Sequence, residues 1–252
     1  MAGQTHTVDI GDDDLLPPWT TIFEAARAID VSDWVLVGGL MVQLHARRAS
    51  ISPPRVTKDV DLIADVQTNR SSFESIGTAL ASIGFEVVVP DARTSPIYRF
   101  ARGDEQVDVM VADHLPSGMK PRLRQRPAFA VEGGAQALNR RDIFAVNSTR
   151  GTITIGAPDV LGALIGKGAA YLVDQRDRGR HVEDAAVLLA SIDSVGDLDL
   201  TLNANDRKRL RALASELVDQ LHSAWFVLPE GAKLRALRNL GLLVEAAHLN
   251  LR

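Results

Sequence analysis

Four apolar residues, Trp34, Val35, Leu36 and Val37, run straight into Gly38 and Gly39, and after them Leu40, Met41, Leu44 and Ala46 fall at helical spacing up to Arg48. A short apolar run, a two-glycine turn and a 3.6-residue period define a strand–turn–helix unit. That unit gives the first half of the chain an α/β arrangement. A helix precedes it, carried by Trp19, Ile22, Phe23, Ala26 and Ile29, and ends where residues 30–33 break the pattern.

After a loop at residues 50–54, Val56, Val60, Leu62 and Ile63 mark a second strand around Asp59 and Asp61, and a helix is expected over residues 71–83. Three short β-type runs, 85–89, 97–101 and 106–111, are separated by turn residues and predict a meander beside the first two strands. A hairpin over 142–146 and 152–155 ends the strand signals. From there residues 159–172, 182–190, 206–222 and 232–249 all read as helices. The expected fold class is therefore α/β (α+β), a mixed sheet core followed by a mostly helical half. The change of period places a boundary near residue 156, giving a core over 17–156 and a helical domain over 157–252. Residues 1–16, with Asp12, Asp13 and Asp14 and little to bury, read as a mobile leader.

Composition narrows the chemistry. With no cysteine among 252 residues, disulfides, thiolate zinc sites and cysteine nucleophiles are excluded. The polar, acidic beginning does not resemble a signal peptide, and no apolar run approaches the ~20 residues needed to span a bilayer; a cytoplasmic protein with no membrane partner is expected. The formal charge of −4 cannot attract nucleic acid by itself. A phosphate-rich partner would need metal ions or a local basic patch. Lys120, Arg122, Arg124 and Arg126 are such a patch, a flexible basic segment that could grip an RNA backbone. A solvated charged loop is the plain alternative.

The informative chemistry lies in three carboxylates. Asp59 and Asp61 are two apart in a strand, so both point to one face while Val60 faces the core. Side by side they repel unless a cation neutralises them, which points to Mg²⁺; a solvated strand face is the other reading of an isolated pair. Asp108 repeats the arrangement, with Val107, Val109 and Val111 pointing one way and the carboxylate the other. Three carboxylates on neighbouring strands are what a two-metal phosphoryl-transfer site needs. Gly38 and Gly39 would let backbone and helix N–H groups approach phosphate oxygens; lacking the Walker A and G-x-G-x-x-G spacings, they also read as a plain structural turn.

Gly38 and Gly39, then Arg55, Thr57, Asp59, Asp61 and Leu62, then Asp108 together resemble the nucleotidyltransferase superfamily of the DNA polymerase β type. The double glycine and the preceding helix look more like the AbiEii and MenT-like toxin branch of bacterial toxin–antitoxin systems. The resemblance spans roughly residues 19–190. It implies a nucleotidyltransferase-type mixed sheet, a nucleoside triphosphate substrate and two Mg²⁺ ions held by Asp59, Asp61 and Asp108. Gly38 and Gly39 would hold the β- and γ-phosphates. Lys167 and Asp184, on later helices, match the family's lysine and aspartate: Lys167 on the triphosphate, Asp184 orienting Lys167 or the base, with an exposed helix lysine and a surface helix aspartate as the plain alternatives. The family often carries Lys-Asp just before that aspartate, where this chain has His181 and Val182.

Arg47 and Arg48 are expected to complement the dipole at the end of their own helix, His45 to be packed or at the surface, and Asp174, Arg176, Asp177, Arg178 and Arg180 to form a solvated loop. The resemblance implies transfer of a nucleoside monophosphate to an RNA acceptor, the tRNA 3′ end, by a toxin with a cognate antitoxin. Two alternatives stand beside it: transfer to a small hydroxyl compound such as an antibiotic, or to a protein side chain, and a non-catalytic scaffold that binds nucleotide or RNA.

Overall fold

The computed structural model describes residues 3–11, 16–52, 56–92 and 94–251, and the Asp12–Asp14 run and Arg55 lie outside them. The fold is mixed α/β, with eight α-helices and eleven strands among the described residues. Two compact units divide the chain, one of residues 1–41 and 56–159, the other of residues 42–55 and 160–252.

The first unit opens with β1 (Thr5–Asp9), α1 (Trp19–Ala28) and β2 (Trp34–Val37). Next comes α2 (Gly38–Arg48), whose residues from Val42 onward count with the second unit. Then follow β3 (Asp59–Ala64), α3 (Ser72–Ser82), β4 (Glu86–Val87), β5 (Arg99–Arg102) and β6 (Glu105–Ala112). The unit closes with β7 (Arg122–Leu123), β8 (Arg126–Pro127), β9 (Ala130–Val131), α4 (Gly134–Asn139), β10 (Arg141–Ser148) and β11 (Gly151–Pro158). The main sheet has the order β2-β3-β6-β5-β4, with β9 also on β6. The meander β4-β5-β6 thus joins the first two strands through a parallel β3–β6 pairing.

Register sorts this sheet into two faces, because directly paired residues share a face. Val60, Val107 and Phe100 form one cross-strand row. They are buried toward α3, where the Phe100 ring comes against Gly77. The opposite face carries the row Val37, Asp61, Asp108 and Arg99. Further along that face Val35 and Ile63 pack with Ala137, with Leu138 and Val131 closing over them. α4 therefore covers one end of the carboxylate face, and the carboxylates occupy the other.

Two expectations for the first unit need correcting. Thr5–Asp9, assigned to a mobile leader, is a strand parallel to β10 in a second sheet, β1-β10-β11. Val8 is buried, and Asp142 accepts a hydrogen bond from Gln4 N at 2.7 Å and pairs with His6 at 3.0 Å. The basic segment, expected to be flexible, is a β7–β8 hairpin. Its turn residues Arg124 and Gln125 both have positive φ, 48° and 63°, the backbone that a two-residue hairpin turn requires.

The second unit is helical: α5 (Val160–Val173), α6 (Gly179–Ala190), α7 (Ala204–Leu217) and α8 (Glu230–Ala246). α6 packs against α5, α7 and α8, and its residues from Asp184 through Ala190 are all buried, as are His181 and Val182 one turn earlier. Carbonyls at its C-terminal end are satisfied by side chains: Leu189 and Ile192 accept from Asn239 Nδ2 at 2.9 and 3.0 Å, and Ser191 accepts from Arg48. Arg48 thus caps α6 rather than its own helix, and also pairs with Asp193. α7 ends at Leu217, short of the expected 222, because a 3₁₀ turn over Ser223–Val227 buries Trp225, whose Nε1 donates to Asp219 O. No helix among the described residues is long and apolar enough to cross a membrane.

Candidate active site

The three carboxylates predicted from the sequence come together. Asp61 and Asp108 are direct partners on the parallel strands β3 and β6, and Asp59 lies two residues from Asp61 on the same face. One carboxylate oxygen from each of Asp59, Asp61 and Asp108 lies within 4.8 Å of the others. Asp108 is buried, while Asp59 and Asp61 are half-buried. Like charges directly opposite each other destabilise a sheet, so this placement costs folding energy that only a cation or a basic group offsets.

One basic group is present. Arg99, the β5 partner of Asp108, donates from Nε to Oδ1 at 2.8 Å and from a terminal nitrogen to Oδ2 at 2.7 Å. These hydrogen bonds to Asp108 hold the Arg99 guanidinium above its ordinary range, with the charge of Asp59 contributing. A carboxylate offers about four lone-pair directions, and the bidentate arginine takes one on each oxygen. Asp108 therefore keeps acceptor capacity toward Asp59 and Asp61. The resulting donor set is all carboxylate oxygen, which suits a hard divalent cation.

Gly38 explains the glycine at the strand end. Its φ is +72°, and a Cβ built there would lie 1.8 Å from Asp61 Oδ2 and 2.6 Å from Asp61 Cγ. The missing side chain is the space in which the Asp61 carboxylate sits. Val37, directly opposite Asp61, delivers the chain to this point, and α2 begins at Gly38. The first turn of α2, with Gly39, thus starts beside the carboxylates and has N–H groups without helical partners.

Lys167 and Asp184 also meet, within the helical unit. Lys167 Nζ lies 2.6 Å from Asp184 Oδ2, with side chains 8% and 1% exposed. A turn earlier on α6, His181 is buried and pairs through Nε2 with Asp174 at 3.1 Å, while its Nδ1 is buried with no hydrogen-bond partner among the described residues. Burial holds the His181 imidazole below its usual value and the Lys167 charge adds to this, opposed by the bond to Asp174. Backbone N–H groups of Arg176 and Asp177 hold the Asp174 carboxyl well below the usual carboxylate range. The charged loop is therefore ordered around Asp174, with Arg180 at 3.1 Å and Arg178 stacked over Tyr171 at 4.2 Å. His45 is buried.

In the basic hairpin, Arg122 and Arg126 donate to the backbone carbonyls of Gln125 and Ala92. Lys120 and Arg124 are exposed. Sequence reasoning missed Arg99, because nothing local to β5 announces that register will set it opposite Asp108.

The AbiEii family model, described as the nucleotidyl transferase AbiEii toxin of a type IV toxin–antitoxin system, matches residues 21–224. No curated protein matches the chain. Among solved structures, an antigenic nucleotidyltransferase-like protein from Paracoccidioides brasiliensis is similar at 18% identity, covering 80% of this chain and 92% of that chain with a TM-score of 0.47. With residues 21–224 spanned by the family model, the chain belongs to the AbiEii family of toxin nucleotidyltransferases, an enzyme family whose type IV systems imply a cognate antitoxin.

Proposed function

We propose that the chain transfers a nucleoside monophosphate from a nucleoside triphosphate to an RNA acceptor, the 3′ end of tRNA, and that this blocks charging of that tRNA in the cytoplasm until a cognate antitoxin relieves it. The observation that carries the reading is the cluster of Asp59, Asp61 and Asp108 built against Gly38 at the start of α2. Asp59, Asp61 and Asp108 would hold two Mg²⁺ ions, which when bound supply charge neutralisation at the reacting phosphoryl group.

The chain's own residues do the rest by positioning. The N–H groups of Gly39 and the following turn of α2 receive β- and γ-phosphate oxygens, an interaction favoured at a helix N-terminus. The acceptor hydroxyl oxygen forms a bond to the α-phosphorus as the bond to the bridging oxygen breaks, and pyrophosphate leaves with that electron pair. The hydroxyl proton passes to a carboxylate of the site, for which we assign Asp108. Arg99 holds the Asp108 carboxylate through both of its oxygens. The family resemblance gives Lys167 to the triphosphate and Asp184 to holding Lys167. The basic hairpin with Lys120, Arg122, Arg124 and Arg126 supports an RNA backbone as acceptor, since a chain of charge −4 has to concentrate its cations locally.

Incubating the purified protein with Mg²⁺, each α-labelled nucleoside triphosphate in turn and total RNA tests the reading. A labelled band of tRNA size is expected. Label found only on protein or on a small hydroxyl compound would overturn the acceptor assignment.

A further inference from the structure

Phe129 is 39% exposed, although its backbone is fixed on both sides: its N–H donates to Ile97 O at 3.2 Å and its carbonyl accepts from Val111 N at 2.9 Å. The strand pairing therefore holds an aromatic ring at the surface. That ring lies 5.4 Å from the ring of Tyr98, tilted by 51°. Tyr98 in turn has the Arg99 guanidinium 5.6 Å from its centroid, and Arg99 grips Asp108. A continuous path of side-chain contacts thus runs from Asp108 through Arg99 and Tyr98 to Phe129.

The same path reaches the basic hairpin. Phe129 lies two residues beyond the end of β8 at Pro127, and the intervening Ala128 pairs with Ile97. A guanidinium, two aromatic rings in contact and an adjoining basic hairpin supply what single-stranded nucleic acid requires: cations along the backbone and a π-face for a base. A purely structural aromatic pair would gain more from full burial of both rings.

We propose that Tyr98 and Phe129 form a stacking platform for a nucleobase at the 3′ end of the acceptor RNA, with the backbone following the hairpin and the terminal hydroxyl directed toward Asp108. This rests on the RNA-acceptor reading above. Strand order favours the acceptor over the triphosphate: Gly38 and α2 adjoin the β2 end of the row Val37, Asp61, Asp108, Arg99, whereas the Tyr98 ring contacts Arg99 at its β5 end.

The test uses the full chain and a short single-stranded RNA whose 3′-terminal base is 2-aminopurine, a fluorophore quenched by stacking. Phe129→Leu keeps an apolar side chain on the same backbone, and Phe129→Trp keeps a π-face; circular dichroism checks that both fold. In the parent, binding is expected to quench the probe. Phe129→Leu is expected to weaken RNA binding roughly 5- to 100-fold and to lose the quenching, with the KM for nucleoside triphosphate unchanged, and Phe129→Trp is expected to restore both. Parent-like affinity and quenching in Phe129→Leu overturns the platform while leaving the RNA reading intact. A raised nucleotide KM with unchanged RNA affinity overturns its assignment to the acceptor. A parent that transfers nucleotide yet binds no RNA overturns the acceptor reading and the platform together.

Discussion

Replacing Gly38 by alanine perturbs the site at its tightest point. A Cβ at residue 38 would stand 1.8 Å from Asp61 Oδ2, with φ at +72°. Left-handed backbone costs an alanine roughly 1–2 kcal/mol, and forcing a group into filled space costs about 1–3 kcal/mol more. The expected loss is therefore about 2–5 kcal/mol, with the Asp61 carboxylate pushed off its position. Urea unfolding without metal measures the stability of the parent, Gly38→Ala, Asp61→Gly and the double variant. Removing the carboxylate opens the space but leaves the backbone cost, so the double variant is expected to be more stable than the sum of the singles by about 1–3 kcal/mol, the packing part of the penalty. Additivity within about 0.5 kcal/mol would refute the claim that the missing side chain at residue 38 is the seat of the Asp61 carboxylate. Nucleotidyl transfer is expected to fall about 100-fold or more in Gly38→Ala, and full activity would carry the same refutation.

Three further predictions concern other groups. Lys167→Met leaves Asp184 buried opposite an apolar group and is expected to cost about 3–5 kcal/mol, part of it recovered in Lys167→Met with Asp184→Leu. That folded double variant is expected to show a raised KM for nucleoside triphosphate, and a parental KM would reject the assignment of Lys167 to the triphosphate. His181 is held neutral among Lys167, Asp174, Arg180 and Asp184, whereas the unfolded chain takes up a proton near 6.5. Stability is then complete above that pH and is lost as pH falls below it, and His181→Gln is expected to flatten the dependence below about pH 6.5; an unchanged slope in urea midpoints would reject it. Replacing Lys120 and Arg124 by Gln is expected to reduce the slope of RNA affinity against salt by roughly one to two counterions, and an unchanged slope would return the hairpin to a solvated role.

The carboxylate site was legible because most of its signals are local: the alternation around Val60 puts Asp59 and Asp61 on one face of β3 and the alternation around Val107 turns Asp108 away from the valines of β6, while the β3–β6 register sets Asp108 opposite Asp61. The strand-to-helix turn at Gly38 was legible for the same reason, yet its detailed cause was not. The sequence suggests room for a phosphate, whereas the space a Cβ would take is filled by a side chain from β3. Arg99 was invisible because its partner is chosen by the β5–β6 register. β1 was missed because Thr5–Asp9 buries only Val8 and has no apolar alternation. The hairpin was missed because Arg124 and Gln125 adopt positive φ without the Gly or Asn that usually announces such a turn. α4, six residues long, is too short to display a helical period. The first turn of α6 is polar on the sequence, so its start at Gly179 lies ahead of the apolar pattern beginning at Val182.

We propose that Asp59, Asp61 and Asp108 carry nucleotidyl transfer onto a terminal ribose hydroxyl. It is tested most directly by transfer from α-labelled nucleoside triphosphate to tRNA with an intact 3′ end, to tRNA whose terminal diol has been oxidised by periodate, and by the same assay with Asp59→Ala and Asp61→Ala. One nucleotide incorporated and one pyrophosphate released per turnover is expected on intact tRNA, with no incorporation on oxidised tRNA and none by either variant, the fold unchanged by circular dichroism. Labelling of oxidised tRNA at the rate of intact tRNA would contradict the acceptor, and parental turnover in Asp59→Ala or Asp61→Ala would contradict the site itself.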